Sequence, residues 1–156
     1  MKKNILEIGP GVRPMHHRSQ KEFVLSDDEH YTGIEQGQII FENPIWHRIK
    51  ERYGNRVKVF TGDQKELTQI ESDSIDELVA LGTSDKSDKT LSEFKRVLRT
   101  GGLFILGTMS VGANAWKLTL LQAGFTELPE LENSYNLFPR AGIPDRPYTV
   151  MSFRKH

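Results

Sequence analysis

At 156 residues the chain is the size of one domain, and 21 Lys and Arg balance 21 Asp and Glu, leaving no net positive field to hold a polyanion. The absence of cysteine excludes disulfides, thiolate zinc sites and a cysteine nucleophile, and fits a reducing compartment. No run approaches the roughly 18 apolar residues needed to span a bilayer, and the apolar stretch after Met1-Lys2-Lys3 is broken by Glu7 and glycines, unlike a secretory signal. The expectation is a single cytoplasmic domain over residues 1–156, with neither membrane nor nucleic acid as partner.

Short apolar runs alternate with helical patterns along the chain, which predicts βα units building a parallel sheet covered on both faces. Asn4 to Ile8 is the first strand and runs directly into Gly9-Pro10-Gly11. After a polar stretch, Met15 to Glu29, with little helical periodicity, His30 to Glu35 forms the second strand. Asn43-Pro44 reads as an N-cap followed by proline at the first helical position, with Gly54 as terminator. Val57 to Thr61 is a third strand ending at Gly62-Asp63, Lys65 to Ile70 a short helical turn, and Ser74 to Leu81 a fourth strand. A helix from Asp88 to Arg99 places Leu91, Phe94, Val97 and Leu98 on one face and ends at Thr100-Gly101-Gly102. Leu103 to Thr108 has the continuous apolar character of a buried central strand. A helix from Asn114 to Ala123, capped by Asn114 and stopped by Gly124, completes the helical set. Phe125 to Leu131 and Tyr148 to Phe153 have no helix between them and are expected to pair antiparallel, joined by a long loop, Glu132 to Pro147.

The chemistry gathers where strands end. Gly9 and Gly11 lack side chains, so the turn after the first strand can take positive φ and bring backbone N–H groups close to a ligand. Glu35 closes the second strand, where its carboxylate can accept both hydroxyl hydrogens of a ribose, and Asp63 follows the third, where it can accept from an adenine amino group. Each has a plainer reading: a tight turn, a strand-end surface acid and a turn aspartate. Their arrival at three successive strand ends favours one nucleoside site.

The motifs resemble those of the class I, Rossmann-like S-adenosylmethionine-dependent methyltransferases, of the type 11-like kind. Leu6-Glu7-Ile8-Gly9-Pro10-Gly11 is similar to the first motif, Tyr31-Thr32-Gly33-Ile34-Glu35 to the second and Val59-Phe60-Thr61-Gly62-Asp63 to the third. Ser74-Ile75-Asp76-Glu77-Leu78-Val79 resembles the fourth strand, the run Leu91 to Gly102 the helix and turn before the fifth, and Leu121 to Phe125 the approach to the sixth. The resemblance implies a seven-stranded, doubly wound α/β sheet of order 3-2-1-4-5-7-6 with strand seven antiparallel. It implies S-adenosylmethionine as cofactor, with Glu7 near its methionine end, Gly9, Pro10 and Gly11 beneath it, Glu35 and Gln36 at the ribose, Gly62 and Asp63 beside adenine, and Leu81 and Gly82 bordering the methyl group. The sequence departs from the family at Arg13, where a third glycine is common, and at Pro14, so the helix normally begun there starts later or is lost.

The implied reaction is methyl transfer to a small molecule. Glutamine and amino-base methylation is excluded because Leu81-Gly82-Thr83-Ser84 lacks the Asn/Asp-Pro-Pro-Tyr/Phe element, and cytosine C5 methylation lacks its cysteine. His16, His17 and Asp85 are the candidates for a base on the cofactor side, with exposed loop residues and a helix-start aspartate as the plain alternatives; His30 lies at the opposite edge of its strand. Trp46 and Trp116, each on a helix, read as packing residues, and the acidic string Glu71 to Glu77 lacks the glycine of a metal-binding loop, so no metal is expected. Two alternatives stand beside the methyltransferase: a binding or accessory module without turnover, and an NAD-dependent oxidoreductase, whose fingerprint would place glycine at Pro14. A second copy or a partner protein completing the substrate site is the remaining partner expectation.

Overall fold

A computed structural model describes residues 1–11, 23–37, 41–81, 85–129 and 148–156, and everything below concerns these. The strands are β1 (Lys3–Ile8), β2 (Glu29–Glu35), β3 (Val57–Thr61), β4 (Ile75–Ala80), β5 (Leu98–Met109), β6 (Phe125–Glu127) and β7 (Tyr148–Lys155), and the helices α1 (Pro44–Tyr53), α2 (Asp88–Val97) and α3 (Ser110–Gln122). They form one seven-stranded sheet in the order β3-β2-β1-β4-β5-β7-β6. The first five strands pair in parallel, while β7 runs antiparallel to both β5 and β6. The sheet order and the direction of the seventh strand are those implied by the sequence motifs.

Each face of the sheet carries its own apolar cluster. On one, α2 and α3 deliver Leu91, Phe94, Trp116 and Leu120 against Leu78, Phe104 and Phe153. On the other, α1 contributes Trp46 and Tyr53, packed with Tyr31, Val79 and Ile105. The central strands therefore need apolar side chains in both directions, which is why their sequences are continuous rather than alternating.

The start of α1 follows the local chemistry. Asn43 Oδ1 accepts from Ile45 N–H at 2.9 Å, Pro44 occupies the first turn, and Gly54 at φ 57° ends the helix. Elsewhere tertiary structure overrides it. Lys65 to Ile70 forms two successive turns, closed by Glu66 N–H to Asp63 O and Ile70 N–H to Leu67 O, and not a helical segment. The Glu93 carboxylate accepts from Leu67 N–H while Arg96 donates to the Leu67 and Ile70 carbonyls, so α2 satisfies this stretch of backbone in place of a helix.

α2 stops at Val97, two residues short of the expectation, because Leu98 turns extended and pairs with Ile75. Pairing then jumps to Glu77 with Leu103, so Thr100-Gly101-Gly102 lies inside a bulge of β5 and not at a helix end. Gly101 takes φ 75°, and a Cβ on Gly102 would lie 2.8 Å from Arg99 O and from Leu98 Cδ1. α3 starts at Ser110, directly as β5 ends, which leaves Asn114 exposed within the helix and not at its cap. Its other end is as expected, with Gly124 at φ 85°.

Gly102→Ala is expected to lower the unfolding free energy by about 1–3 kcal/mol, the usual range for overpacking, because the added methyl meets backbone. Urea denaturation measures it; an unchanged midpoint would show that the bulge relaxes freely.

Candidate functional site

The carboxyl ends of β1, β2 and β3 lie side by side, in the register Ile8 with Ile34 and Glu35 with Thr61. Backbone hydrogen bonds prolong this edge past the strands: Gly9 N–H donates to Ile34 O at 2.8 Å, and Gly62 N–H to Glu35 O at 3.0 Å. The three segments singled out in the sequence are thus physically adjacent.

At the centre stands Glu35. Its Oε2 accepts from Gly11 N–H at 3.2 Å and its Oε1 from Gln36 N–H at 3.0 Å. A carboxylate has about four acceptor positions, so both oxygens can still receive a ligand hydroxyl while the two N–H groups fix their direction. Gly9 and Gly11 have φ of 66° and 69°, the left-handed region that favours glycine. A Cβ on Gly9 would also lie 3.9 Å from Glu35 Oε2, at the edge of the carboxylate.

Several supports were not apparent from the sequence. Pro10 sits against Gly33, where a Cβ would come within 3.3 Å of Pro10 Cγ, so the glycine inside β2 is the seat of the proline ring. Glu7 is fully buried and accepts from the Tyr31 hydroxyl at 2.5 Å. Burial foremost, with the adjacent Glu7 charge, pushes the Tyr31 hydroxyl well above its usual range, which keeps it a donor at neutral pH. Trp46, also fully buried, donates its indole N–H to Gly11 O at 2.9 Å. The packing reading of both tryptophans holds, since Trp46 and Trp116 are buried on opposite faces, but Trp46 does more than fill space. The signal available was its place three residues after Asn43, in a turn whose geometry the cap already fixes.

Asp63 is exposed, with Oδ1 accepting from Lys65 N–H at 2.8 Å. This is the turn role that was its plain alternative, and it leaves Oδ2 without a partner among the described residues. A Cβ on Gly62 would lie 3.3 Å from Ile34 Cγ2, so the chain there rests directly on β2. Leu81 is buried just beyond β4. Gly82, His16 and His17 lie outside the described residues.

Asp85 has a structural place, bracing the entry to α2, whose N-cap is Ser87. Oδ1 accepts from Ser87 N–H at 2.9 Å and Oδ2 from the Thr90 hydroxyl at 2.8 Å, while Lys65 Nζ lies 3.5 Å away. The Ser87 backbone bond, then the Thr90 hydroxyl, hold the carboxyl down at about 2, well below the range of a base working at neutral pH. His30, at the amino end of β2, is paired with Asn4 at the far edge of the sheet. Its pKa is lowered by burial and by the neighbouring charges of Lys2, Arg56 and Lys58. A groove of about 380 Å³ between α2 and α3 is lined by Asp88, Leu91, Ser92, Lys95 and Thr119, and by none of the glycine-turn, Glu35 or Gly62-Asp63 residues. Its lysine is engaged with Ala123 O at 2.6 Å.

No family model and no curated protein sequence matches the chain, so the type 11-like resemblance rests on its motifs alone. Solved structures do match. The cyclase SpnF, a [4+2]-cyclase, superposes with a TM-score of 0.69 at 16% identity, over 99% of this chain and 75% of that one. The 1,6-didemethyltoxoflavin-N1-methyltransferase of Burkholderia thailandensis, solved with 1,6-didemethyltoxoflavin and S-adenosylhomocysteine bound, gives 0.69 at 18% identity, over 99% and 71%. A TehB-like S-adenosylmethionine-dependent methyltransferase of Corynebacterium glutamicum gives 0.64 at 16%, over 99% and 80%. The chain has the Rossmann-like fold of the class I S-adenosylmethionine-dependent methyltransferases.

The Asp85 geometry carries a pH signature. A carboxyl held below its unfolded value stabilises the fold fully above about pH 4–5 and loses that contribution as pH falls toward 2. Asp85→Asn is expected to cost about 1–2 kcal/mol at pH 7, after allowance for partial solvent screening, and the gap to wild type should close between pH 5 and 2. Urea melts across that range test it; a pH-independent gap would assign the loss to shape instead of charge.

Proposed function

We propose that the protein binds S-adenosylmethionine at the carboxyl edge of β1, β2 and β3 and transfers its methyl group to a small-molecule acceptor. The observation that carries this reading is the convergence of Gly11 N–H, the Glu35 carboxylate and the Gly62-Asp63 turn on one edge. The residues fit a nucleoside: a carboxylate with preset direction for two vicinal hydroxyls, a turn with no side chains beneath, and an aspartate oxygen open at the adenine side. The methyltransferase structures with this fold support the choice of cofactor.

When bound, the cofactor supplies an electrophilic methyl group on a positively charged sulfur. The chain's own part is alignment and exclusion of water. Glu35, with Gln36 N–H behind it, would hold the ribose; Gly9, Pro10 and Gly11 would form the floor; Glu7, held by Tyr31, steadies the strand that would lie beneath the methionine end; and Leu81, buried just beyond β4, would border the methyl group. Asp85 holds the N–H of Ser87, the N-cap of α2, and takes no proton from the acceptor at neutral pH. His16 and His17 remain the candidates for a base where the acceptor needs one.

A second reading, a binding or accessory module that keeps the fold without turnover, draws on one finding: the fold is not tied to methyl transfer, since a [4+2]-cyclase shares it. Both readings require the nucleoside site. An NAD-dependent oxidoreductase is disfavoured by Pro14, where its fingerprint has glycine.

Thermal-shift titration separates the cofactors. S-adenosylhomocysteine at a hundredfold excess over Kd adds about 2.7 kcal/mol, a rise of roughly 5–10 °C for a domain of this size, whereas NAD and NADH should give none. Glu35→Ala should remove most of the ligand-induced rise. No shift with S-adenosylhomocysteine at millimolar concentration, or a shift with NAD alone, overturns the proposal.

A further inference from the structure

We propose that Trp46 is the positioning residue of the glycine turn, acting through Gly11 on the contact between Gly11 and Glu35; the inference rests on the cofactor reading above for its effect on binding. Gly11 is pinned on both sides. Its N–H donates to Glu35 Oε2 at 3.2 Å and its carbonyl accepts from the Trp46 indole N–H at 2.9 Å. Gly11 stands at φ 69° and, among the described residues, nothing lies within 4 Å of where its Cβ would stand, so these two bonds are the contacts that orient it there.

The indole is itself fixed. Trp46 is the third residue of α1, in the turn closed by Asn43: Trp46 N–H donates to Asn43 O at 3.0 Å, and Pro44 sits before it. Its ring packs edge-on against Phe41, with centroids 5.3 Å apart, and at 32° to Tyr31, with centroids 6.1 Å apart. Tyr31 in turn holds Glu7. One buried aromatic group therefore supports both ends of the motif, Glu7 through Tyr31 and Gly11 through Trp46. A site held within a fraction of an ångström by such supports keeps its affinity only while they are intact.

Trp116 provides the matched control. It is equally buried but belongs to the apolar cluster on the opposite face of the sheet, with Phe94 and Phe104, and among the described residues has no hydrogen bond to the turn. Trp46→Phe keeps an aromatic ring and removes the N–H donor; Trp116→Phe removes similar volume elsewhere. Isothermal titration with S-adenosylhomocysteine should show about a tenfold loss of affinity for Trp46→Phe, the scale of one hydrogen bond, and less than about a twofold change for Trp116→Phe even where both lower Tm. In the ligand-free protein, Glu35→Ala should shift the Trp46 indole resonance in a ¹H–¹⁵N spectrum and leave that of Trp116 in place, since Glu35 and Trp46 hold the same residue.

Unchanged affinity in Trp46→Phe, equal losses in both tryptophan variants, or a Trp46 resonance indifferent to Glu35→Ala overturns the proposal while leaving the cofactor reading intact. Failure of the wild-type protein to bind S-adenosylhomocysteine overturns the cofactor reading instead. The ligand-free spectra then decide the positioning role, as they also do if Trp46→Phe does not fold.

Discussion

The bond from Gly11 N–H to the Glu35 carboxylate joins the end of β1 to the end of β2, and the arrangement of the whole edge depends on it. It requires β1 and β2 to be parallel and in register, so that two strand ends far apart in sequence finish together. It requires a glycine at positive φ, because the N–H must turn back toward its neighbour. It also requires an acid where the strand gives out, since that side chain reaches across to Gly11 N–H. From that edge Glu35 O receives Gly62 N–H, which brings the third segment into the same row.

Energetically the edge is a small polar layer set over a dry interior. Tyr31, Trp46 and Glu7 are fully buried, yet each has a hydrogen-bond partner that belongs to the motif or supports it: Tyr31 on Glu7, Trp46 on Gly11. An unpaired polar group in such surroundings costs about 1–3 kcal/mol, so these pairs fix one arrangement against alternatives. The Glu93 and Arg96 contacts to residues 67–72 act similarly on the other face, holding the segment that follows Asp63 to α2. α2 is in turn anchored at its start by Asp85, so an acid placed as a candidate base serves as a tie between the turn at Lys65 and the helix.

The strands and the first helix were legible because their signals are local. Asn43-Pro44 caps a helix by chemistry contained within four residues, and the glycine turn announces itself by composition. What escaped was decided at a distance. Lys65 to Ile70 has helical composition but gains more from Arg96 and Glu93 than from its own turns. Gly101-Gly102 resembles a helix stop, yet the pairing of Leu98 with Ile75 draws it into a strand bulge. Asn114 has the residue type of a cap, but α3 begins where β5 ends, four residues earlier. The site was legible in its acids and glycines and illegible in its supports. Gly33 beneath Pro10, Tyr31 against Glu7 and Trp46 against Gly11 are partners that periodicity makes look like ordinary core.

The fold by itself admits more than one chemistry, as a cyclase and methyltransferases sharing it show. The claim that distinguishes this account is where an adenosine sits. A crystal structure of the protein with S-adenosylhomocysteine tests it most directly. The account predicts both ribose hydroxyls on the Glu35 carboxylate, the adenine amino group at Asp63 and the chain of the ligand above Gly9 and Gly11. Ligand density in the groove between α2 and α3, or at the amino edge beside His30, with the glycine turn vacant, would contradict it.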